Sequence, residues 1–348
     1  MVCSAAARRE AVCHRSGIAA ADDARCGERE TDPDRRPLII VNPVAGGGRA
    51  RPFWERCAEQ CRMANIEVEV FETRRRGDAA ARAAEAGDRL VISVGGDGTA
   101  HEVVNGLLSN QPPPRPSPQG GGRDRPRFGA LLRGGTAGDL ARSVPSPRRP
   151  EDVPAWLATN RWRPIDAGRL ETSAGASFFI NAADAGIGAD VVRRAARGPA
   201  WAGGTANFLA GAVISLITHQ NDAVTMRLDG GPAAGRRVRT IAVSNGVYLG
   251  GGMRIAPSAR MDDGLLDVVT IADIGRLKGI VSLPLLYRGT HGRLREVEFA
   301  QARRVEIDAD HPVGVEADGE LVGTTPAVFE IVPGALQVID WQPSGILS

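Results

Sequence analysis

Three short apolar runs in the first 140 residues each close on a glycine-rich turn that leads into a helical stretch. Leu38-Ile39-Ile40-Val41 runs into Asn42-Pro43-Val44-Ala45-Gly46-Gly47-Gly48. Arg89–Val94 runs into Gly95-Gly96-Asp97-Gly98-Thr99, and Phe128–Leu132 into Gly134-Gly135-Thr136-Ala137-Gly138-Asp139. Runs without polar alternation suit strands covered on both faces. Helical patterns over Ala50–Ala64, Gly77–Ala86, His101–Leu108 and Leu140–Ser143, with a further strand at Ile66–Phe71, complete the series. This pace predicts a mainly parallel sheet with helices on both sides. In such a sheet the turns fall at one edge, outside the carboxyl ends of the strands, where ligands bind. Glycine there lets backbone N–H groups approach a phosphate, and each helix N-terminus favours negative charge. The pattern points to a nucleotide.

Which nucleotide chemistry follows from what the turns lack. No Gly-x-x-x-x-Gly-Lys-Ser/Thr occurs, and Lys278, the only lysine among 43 cationic side chains, is far from every glycine turn. A Walker site is excluded. Gly46-Gly47-Gly48 has no later glycine at dinucleotide-fold spacing. Asp97 stands between glycines, where a carboxylate would repel a bare pyrophosphate but would hold Mg²⁺ on one, directly or through water. The turns therefore favour phosphoryl transfer from a nucleoside triphosphate over dinucleotide redox chemistry.

Beyond the third turn the texture changes. Residues 109–127, rich in proline and glycine, read as a flexible insertion. After Pro164, strands are predicted at Ile165–Glu171, Ser177–Ala182, Ala223–Leu228, Val238–Ser244, Leu265–Ile271, Arg303–Ala309, Val313–Ala317, Ala327–Ile331 and Leu336–Ile339. Helices are predicted near Asp190–Arg197, Thr205–Thr218 and Gly275–Leu286. Asp229-Gly230 and Asp318-Gly319 are hairpin signals, so the second domain is read as antiparallel and β-rich. The boundaries are 1–36 for a disordered extension or a start placed too early, and 37–164 for the α/β nucleotide domain. A β-rich substrate domain takes 165–325, and 326–348 holds closing strands. The five cysteines lack zinc-finger spacing and read as small buried side chains in a reducing cytosol. A formal charge of +2 excludes a dedicated basic nucleic-acid binder. The longest apolar run, around Phe208–Ile217, is too short for a membrane span.

Val94-Gly-Gly-Asp-Gly-Thr99 followed by Glu102-Val-Val-Asn105-Gly resembles the hallmark of the diacylglycerol kinase catalytic family, which includes sphingosine, ceramide and bacterial lipid kinases. Further matches follow in order: Asn42-Pro43 with its glycines, Thr73 before Gly77-Asp78, Gly135-Thr136-Ala137-Gly138-Asp139, Asp166-Ala-Gly168, Asp262-Asp263-Gly264-Leu265, Asp318-Gly319-Glu320 and Pro333-Gly-Ala-Leu336. The resemblance implies an α/β nucleotide domain and a β-sandwich-like domain with the active site in the cleft between them, the last strands returning to the first domain. It implies an ATP- and Mg²⁺-dependent lipid kinase. Asn42, Pro43, Val44, Ala45, Gly46, Thr73, Gly95, Gly96, Asp97, Gly98, Thr99 and Thr136 would line the ATP site. Asp97, Asp139 and Asp166 would surround the catalytic Mg²⁺, and Glu320 would be the general base. Asp263, with the carbonyls of Arg260 and Leu265, would match a structural Mg²⁺ site.

Gly138 stands where the family usually has asparagine, and Leu132-Arg133 where a proline commonly precedes the glycines. Diacylglycerol is the leading acceptor; a sphingoid base or ceramide, a NAD-kinase-like reaction and a non-catalytic nucleotide-binding regulator stay open. The expected setting is cytoplasmic, in peripheral contact with the inner membrane face and without nucleic acid, a homodimer being left open. Arg193, Arg194 and Arg197 beside Trp201 are one candidate membrane contact, and the 109–127 insertion is another.

Overall fold

Alternation along the apolar runs sets the first layer. The computed structural model describes residues 36–109, 125–132, 138–199 and 202–341. Thr136, Trp201, almost all of the extension and most of the 109–127 insertion lie outside them. Strands β1 (Leu38–Val41), β2 (Glu69–Glu72), β3 (Leu90–Gly95) and β4 (Arg127–Leu132) pair in parallel in the order β2-β1-β3-β4. Leu38, Ile40 and Val91 point into one core; Ile39, Val41, Ile92 and Val94 point into another on the opposite face. The first core is covered by α3 (Asp78–Ala84) and α4 (Asp97–Ser109), which contribute Ala79, Ala83, Val103, Val104 and Leu107. The second is covered by α2 (Ala50–Met63), with Phe53, Trp54, Cys57 and Cys61, and by Trp156 of α6 (Val153–Ala158). Period two with both faces buried is what an apolar run without alternation requires. A one-turn segment α1 (Ala45–Gly48) and the short helix α5 (Leu140–Ser143) complete this part.

Within this layer two expected boundaries move appreciably, for identifiable reasons; in the second domain the strand expected at Ser177–Ala182 is divided between Gly175–Phe179 and Ala182–Gly186. Strand β2 begins at Glu69 rather than Ile66, because its sole neighbour β1 begins at Leu38, opposite Glu69. Helix α4 begins at Asp97 rather than His101, so Asp97-Gly98-Thr99 forms its first turn.

The rest is antiparallel. Strands β5 (Trp162–Thr172), β6 (Gly175–Phe179) and β7 (Ala182–Gly186) lead into α7 (Ile187–Ala196) and α8 (Gly203–Thr218). Then come β8 (Asp222–Leu228), β9 (Ala234–Ser244), β10 (Leu266–Ala272), α9 (Arg276–Arg288), β11 (Val297–Ala302), β12 (Arg304–Ala309), β13 (Gly314–Ala317), β14 (Glu320–Thr324) and β15 (Ala327–Ile339). Inward residues such as Phe179, Val224, Ile241, Val243, Val268, Val305, Val315 and Phe329 share one core. On the other face of β9 and β10, Ala242 and Val269 meet Ile255 and Leu286 in a smaller one. This is the β-sandwich-like second domain.

The two strands expected at 327–331 and 336–339 are one. Strand β15 bulges between Val332 and Leu336 while β5 runs antiparallel beside it from Trp162 to Glu171. Its first half also pairs with β12, and its last residues pair in parallel with β4. The same strand therefore belongs to both layers.

Candidate active site

The register aligns the strand exits. Val41 lies opposite Glu72 and Val94, and Gly95 opposite Leu132, so Asn42, Thr73 and Gly95 leave the sheet at one edge. The Asn42 side chain donates to Thr99 Oγ1 at 3.1 Å and accepts the Val44 amide at 3.3 Å, tying the first turn to the second. Gly46, Gly47 and Gly48 all have positive φ, and a Cβ at Gly47 or Gly48 would meet nothing within 4 Å. Three left-handed residues in a row leave bare backbone facing open space, the kind of concavity that takes a phosphate.

Three carboxylates converge next to this edge, each held by backbone amides. Asp97, in the first turn of α4, accepts from Gly138 N at 2.7 Å and Leu140 N at 3.3 Å. Asp139 is buried and accepts from Gly251 and Gly252 at 2.8 and 2.7 Å. Asp318, at φ 48° in the β13–β14 turn, accepts from Ile180, Asn181 and Ala182 of the chain leading into β7. Burial first, and the neighbouring Asp139 charge second, push the Asp97 carboxyl up to about 6. Asp139 is also raised, chiefly by burial, against the pull of the two glycine amides. Carboxylates that repel one another yet are fixed in place are suited to a cation.

Gly138 makes its contact to Asp97 without a side chain. Its φ is 62°, and it is the backbone N–H that reaches Asp97. Glycine and asparagine are the two residues that adopt this left-handed conformation most readily, so the substitution keeps the contact.

Glu320 opens β14 and faces the same point from the second domain. A Cβ on Gly98 would lie 2.7 Å from Glu320 Oε1, so the missing side chain makes room for the carboxylate beside Asp97. Arg76 Nη2 binds Glu320 Oε2 at 2.7 Å. The loop carrying Arg76 is fixed by Asp78, which accepts the Arg74 and Arg75 amides, and by Glu102, which accepts Gly77 N at 3.1 Å.

A cavity of about 420 Å³ opens at these carboxylates. Asp97, Asp139, Asp318 and His101 line its polar end; Val191, Phe208, Leu216, Ile274, Leu283 and Leu286 line the rest, from α7, α8, α9 and the loop before α9. Two further acids border it: Asp184 on β7 and Glu316 opposite it on β13, both buried.

Comparison with known proteins decides what this arrangement belongs to. Residues 36–170 match the diacylglycerol kinase catalytic domain, and residues 181–340 match the YegS C-terminal NAD kinase beta sandwich-like domain. A protein of Chromohalobacter salexigens described as "probable lipid kinase YegS-like" is 30% identical over 319 residues, covering 89% of this chain and 94% of that one. The chain belongs to the diacylglycerol kinase family of lipid kinases. A Bacillus subtilis protein named diacylglycerol kinase is 28% identical over 306 residues, covering 85% of this chain and 93% of that one. The crystal structure of a diacylglycerol kinase from Bacillus anthracis superposes with a TM-score of 0.64 at 20% identity, over 89% of this chain and 98% of that one. That likeness concerns the fold.

Within the kinase, the expected site residues are not all in one place. Asn42, Thr73, Gly95–Thr99, Asp139 and Glu320 come together at the strand edge and cavity mouth. Asp166 does not join them: it is buried with Oδ2 on the Gly264 amide at 2.8 Å and Oδ1 on Gly334 at 2.6 Å. It pins β5 to the 261–264 loop and to the β15 bulge. Asp263 is exposed, and its Oδ1 takes the Leu265 amide at 3.1 Å. Among the described residues no three His, Cys, Asp or Glu side chains form a closed metal cage. The donor set fits a hard cation that keeps waters and phosphate oxygens as ligands, and the open glycine turn fits the phosphates of ATP.

Arg76, His101, Asp184 and Asp318 are not among the expected site residues, yet the structure brings them to the cavity and its mouth. His101 had a signal, since it lies one turn after Asp97 on the same helix face; its Nδ1 is 3.6 Å from Asp318 Oδ2. Arg76 had none, because 244 positions separate it from Glu320. Among the described residues no helix is long and apolar enough to cross a membrane.

Proposed function

We propose that this kinase transfers the γ-phosphoryl group of ATP, with Mg²⁺, to the primary hydroxyl of diacylglycerol, giving phosphatidic acid. The observation that carries the reading is the cavity, whose apolar walls end at Asp97, Asp139 and Asp318. An acyl chain inside it would bring a hydroxyl at its head to those carboxylates. ATP would lie along the strand edge against Asn42–Gly46, Thr73, Gly95–Thr99 and Thr136. Asp97 and Asp139 would hold Mg²⁺, which would supply neutralisation of phosphate charge. Glu320 takes the acceptor proton as the new O–P bond forms and the bond from the γ-phosphorus to ADP breaks; the electron pair leaves with ADP. Arg76 fixes Glu320 for that role. Such chemistry rests on positioning and charge neutralisation more than on covalent help. A second ion in the turn of Arg260, Asp263 and Leu265 belongs to the same reading, with Asp263 as its carboxylate. The enzyme would work from the cytoplasm at the inner membrane face, residues 37–164 holding the nucleotide and 165–325 the acceptor.

The test is labelled ATP, Mg²⁺ and a panel of lipids in mixed micelles. The expected product is labelled phosphatidic acid, abolished by Asp97→Ala and reduced on the order of a thousandfold by Glu320→Ala. Labelling of NAD, or ATP binding without transfer to any lipid, overturns the reading. Asp184 and Glu316 favour a second acceptor class in the same panel. Two carboxyls beside the polar end of an apolar cavity give an ammonium or a second hydroxyl a partner, as on a sphingoid base.

A further inference from the structure

On one side, the surface outside the cavity carries a cluster of exposed apolar side chains. Among the described residues, Leu209, Val213, Ile214 and Ile217 of α8 and Leu277, Ile280, Val281 and Tyr287 of α9 are exposed large apolar side chains, Leu277 at 76% and Val281 at 69%. Helices α8 and α9 touch each other. Neither contains an acidic residue: α8 reads GGTANFLAGAVISLIT and α9 RLKGIVSLPLLYR. Scattered exposed apolar residues need no explanation, but two adjoining helices that share most of them do.

Two observations say what covers this face. Leu209, Val213 and Tyr287 are exposed and also line the cavity, so the outer patch and the acceptor pocket form one continuous apolar surface. Cations flank it: Arg276, Lys278 and Arg288 on α9, and Arg194 and Arg197 at the end of α7, are all exposed. Nearby acids are partly engaged, Glu296 by Lys278 at 2.6 Å and Asp273 by Arg237 at 3.8 Å. An apolar helix face rimmed by cations matches a bilayer with anionic headgroups. At 16 and 13 residues the two helices lie along such a surface rather than across it.

We infer that the α8–α9 face is the membrane-docking surface of this kinase, seated on an anionic bilayer so that the acceptor passes from lipid to cavity between the two helices. The inference rests on the lipid-kinase reading and places the contact on the helices that wall the pocket, beside the α7 arginines. The probe is a vesicle of phosphatidylcholine and phosphatidylglycerol, sedimented with the full chain. Leu277→Glu combined with Val281→Glu, two positions outside the cavity lining, should lower vesicle binding at least about tenfold and leave the melting temperature unchanged. Phosphorylation of a short-chain acceptor dissolved as monomers should stay at the wild-type rate, while phosphorylation of the acceptor in vesicles should fall with binding. A gain-of-signal variant checks the same point without relying on loss. In Val281→Trp the new indole should become quenchable by lipids carrying a quencher just below the headgroups.

Vesicle binding that is equal in the double variant, or Val281→Trp fluorescence blind to the quencher, overturns the inference. So does a wild-type dimer that the double variant dissociates with vesicle binding unchanged, since the face would then meet a second copy. If neither acceptor is phosphorylated, the kinase reading fails, while binding and quenching still decide the docking face.

Discussion

At Gly98 the missing side chain makes room for Glu320. The nearest atom to its absent Cβ is the tip of Glu320, a flexible side chain that can yield, whereas Gly106 would drive a Cβ to 2.1 Å from the Ala80 carbonyl oxygen. The two glycines of α4 therefore answer differently to alanine. Gly98→Ala is expected to fold with a melting temperature close to that of the parent, yet to displace Glu320 and lower kcat roughly a hundredfold. Gly106→Ala is expected to destabilise the α3–α4 crossing with kcat intact in whatever fraction folds. Thermal melts and single-turnover rates on both variants separate the cases. Equal loss of rate and stability in both would remove the special place given to Glu320. Arg76→Ala offers the complementary measurement: the carboxylate loses its fixing partner, and kcat should fall without a matching rise in the KM for ATP.

Neighbouring strands β7 and β13 each carry a buried acid at the same level, Asp184 opposite Glu316. Asp184 is pushed up to about 7, mainly by burial, against the Gly188 amide that it accepts at 2.9 Å. Glu316 is raised well above its ordinary range, first by burial and then by the Asp184 charge. His219, which closes α8 and bonds Asp190 of α7 at 2.9 Å, is raised too, because Asp222 and Asp190 together outweigh its burial. All three shifts have one sign. A carboxyl raised on folding costs stability as pH climbs from its unfolded value, near 4, through its folded one; a raised histidine gives stability that fades as pH rises above about 6.5. The chain in EDTA should therefore melt highest in mild acid and lose several degrees by pH 8. Asp184→Asn should recover much of that loss at pH 8 and little at pH 5; a pH-independent melting temperature in the parent would contradict the assignment. Strand β7 also carries little signal in the sequence. The runs at β1, β3 and β4 are plain because they are apolar on both faces. Strand β7 reads Ala-Ala-Asp-Ala-Gly, with nothing β-branched or bulky, and only its place between β9 and β13 makes it a strand. Strand β11 has no counterpart among the expected strands, and β14 is implied there only by the Asp318-Gly319 hairpin signal. The carboxylates were legible where a turn motif carried them, at Asp97, Asp139 and Glu320. They were not legible at Asp184, whose role depends on a partner 132 positions away on β13.

Across the whole molecule the decisive element is β15, which pairs with β12 and β5 in the second domain and with β4 in the first. Phe329 of this strand sits in the sandwich core and Leu336 and Val338 in the core of the parallel sheet, all fully buried. Ending the chain after Pro326 should leave both cores open and give an aggregating product with no cooperative melt, measured by calorimetry. A truncated chain that melts cooperatively would assign β15 a lesser place. A mechanical consequence follows from the same ribbon. Two domains joined by a loose linker swing apart about it, but β5 and β15 are hydrogen-bonded on both sides of the bulge and pass through both layers. Separation of the halves would have to shear or twist a two-stranded beam, a stiff motion compared with rotation at a hinge. On the proposed reading, traffic of acceptor and product would then fall to the helices at the side, and turnover would be governed by how readily α8 and α9 part, with the strand edge held still beneath them.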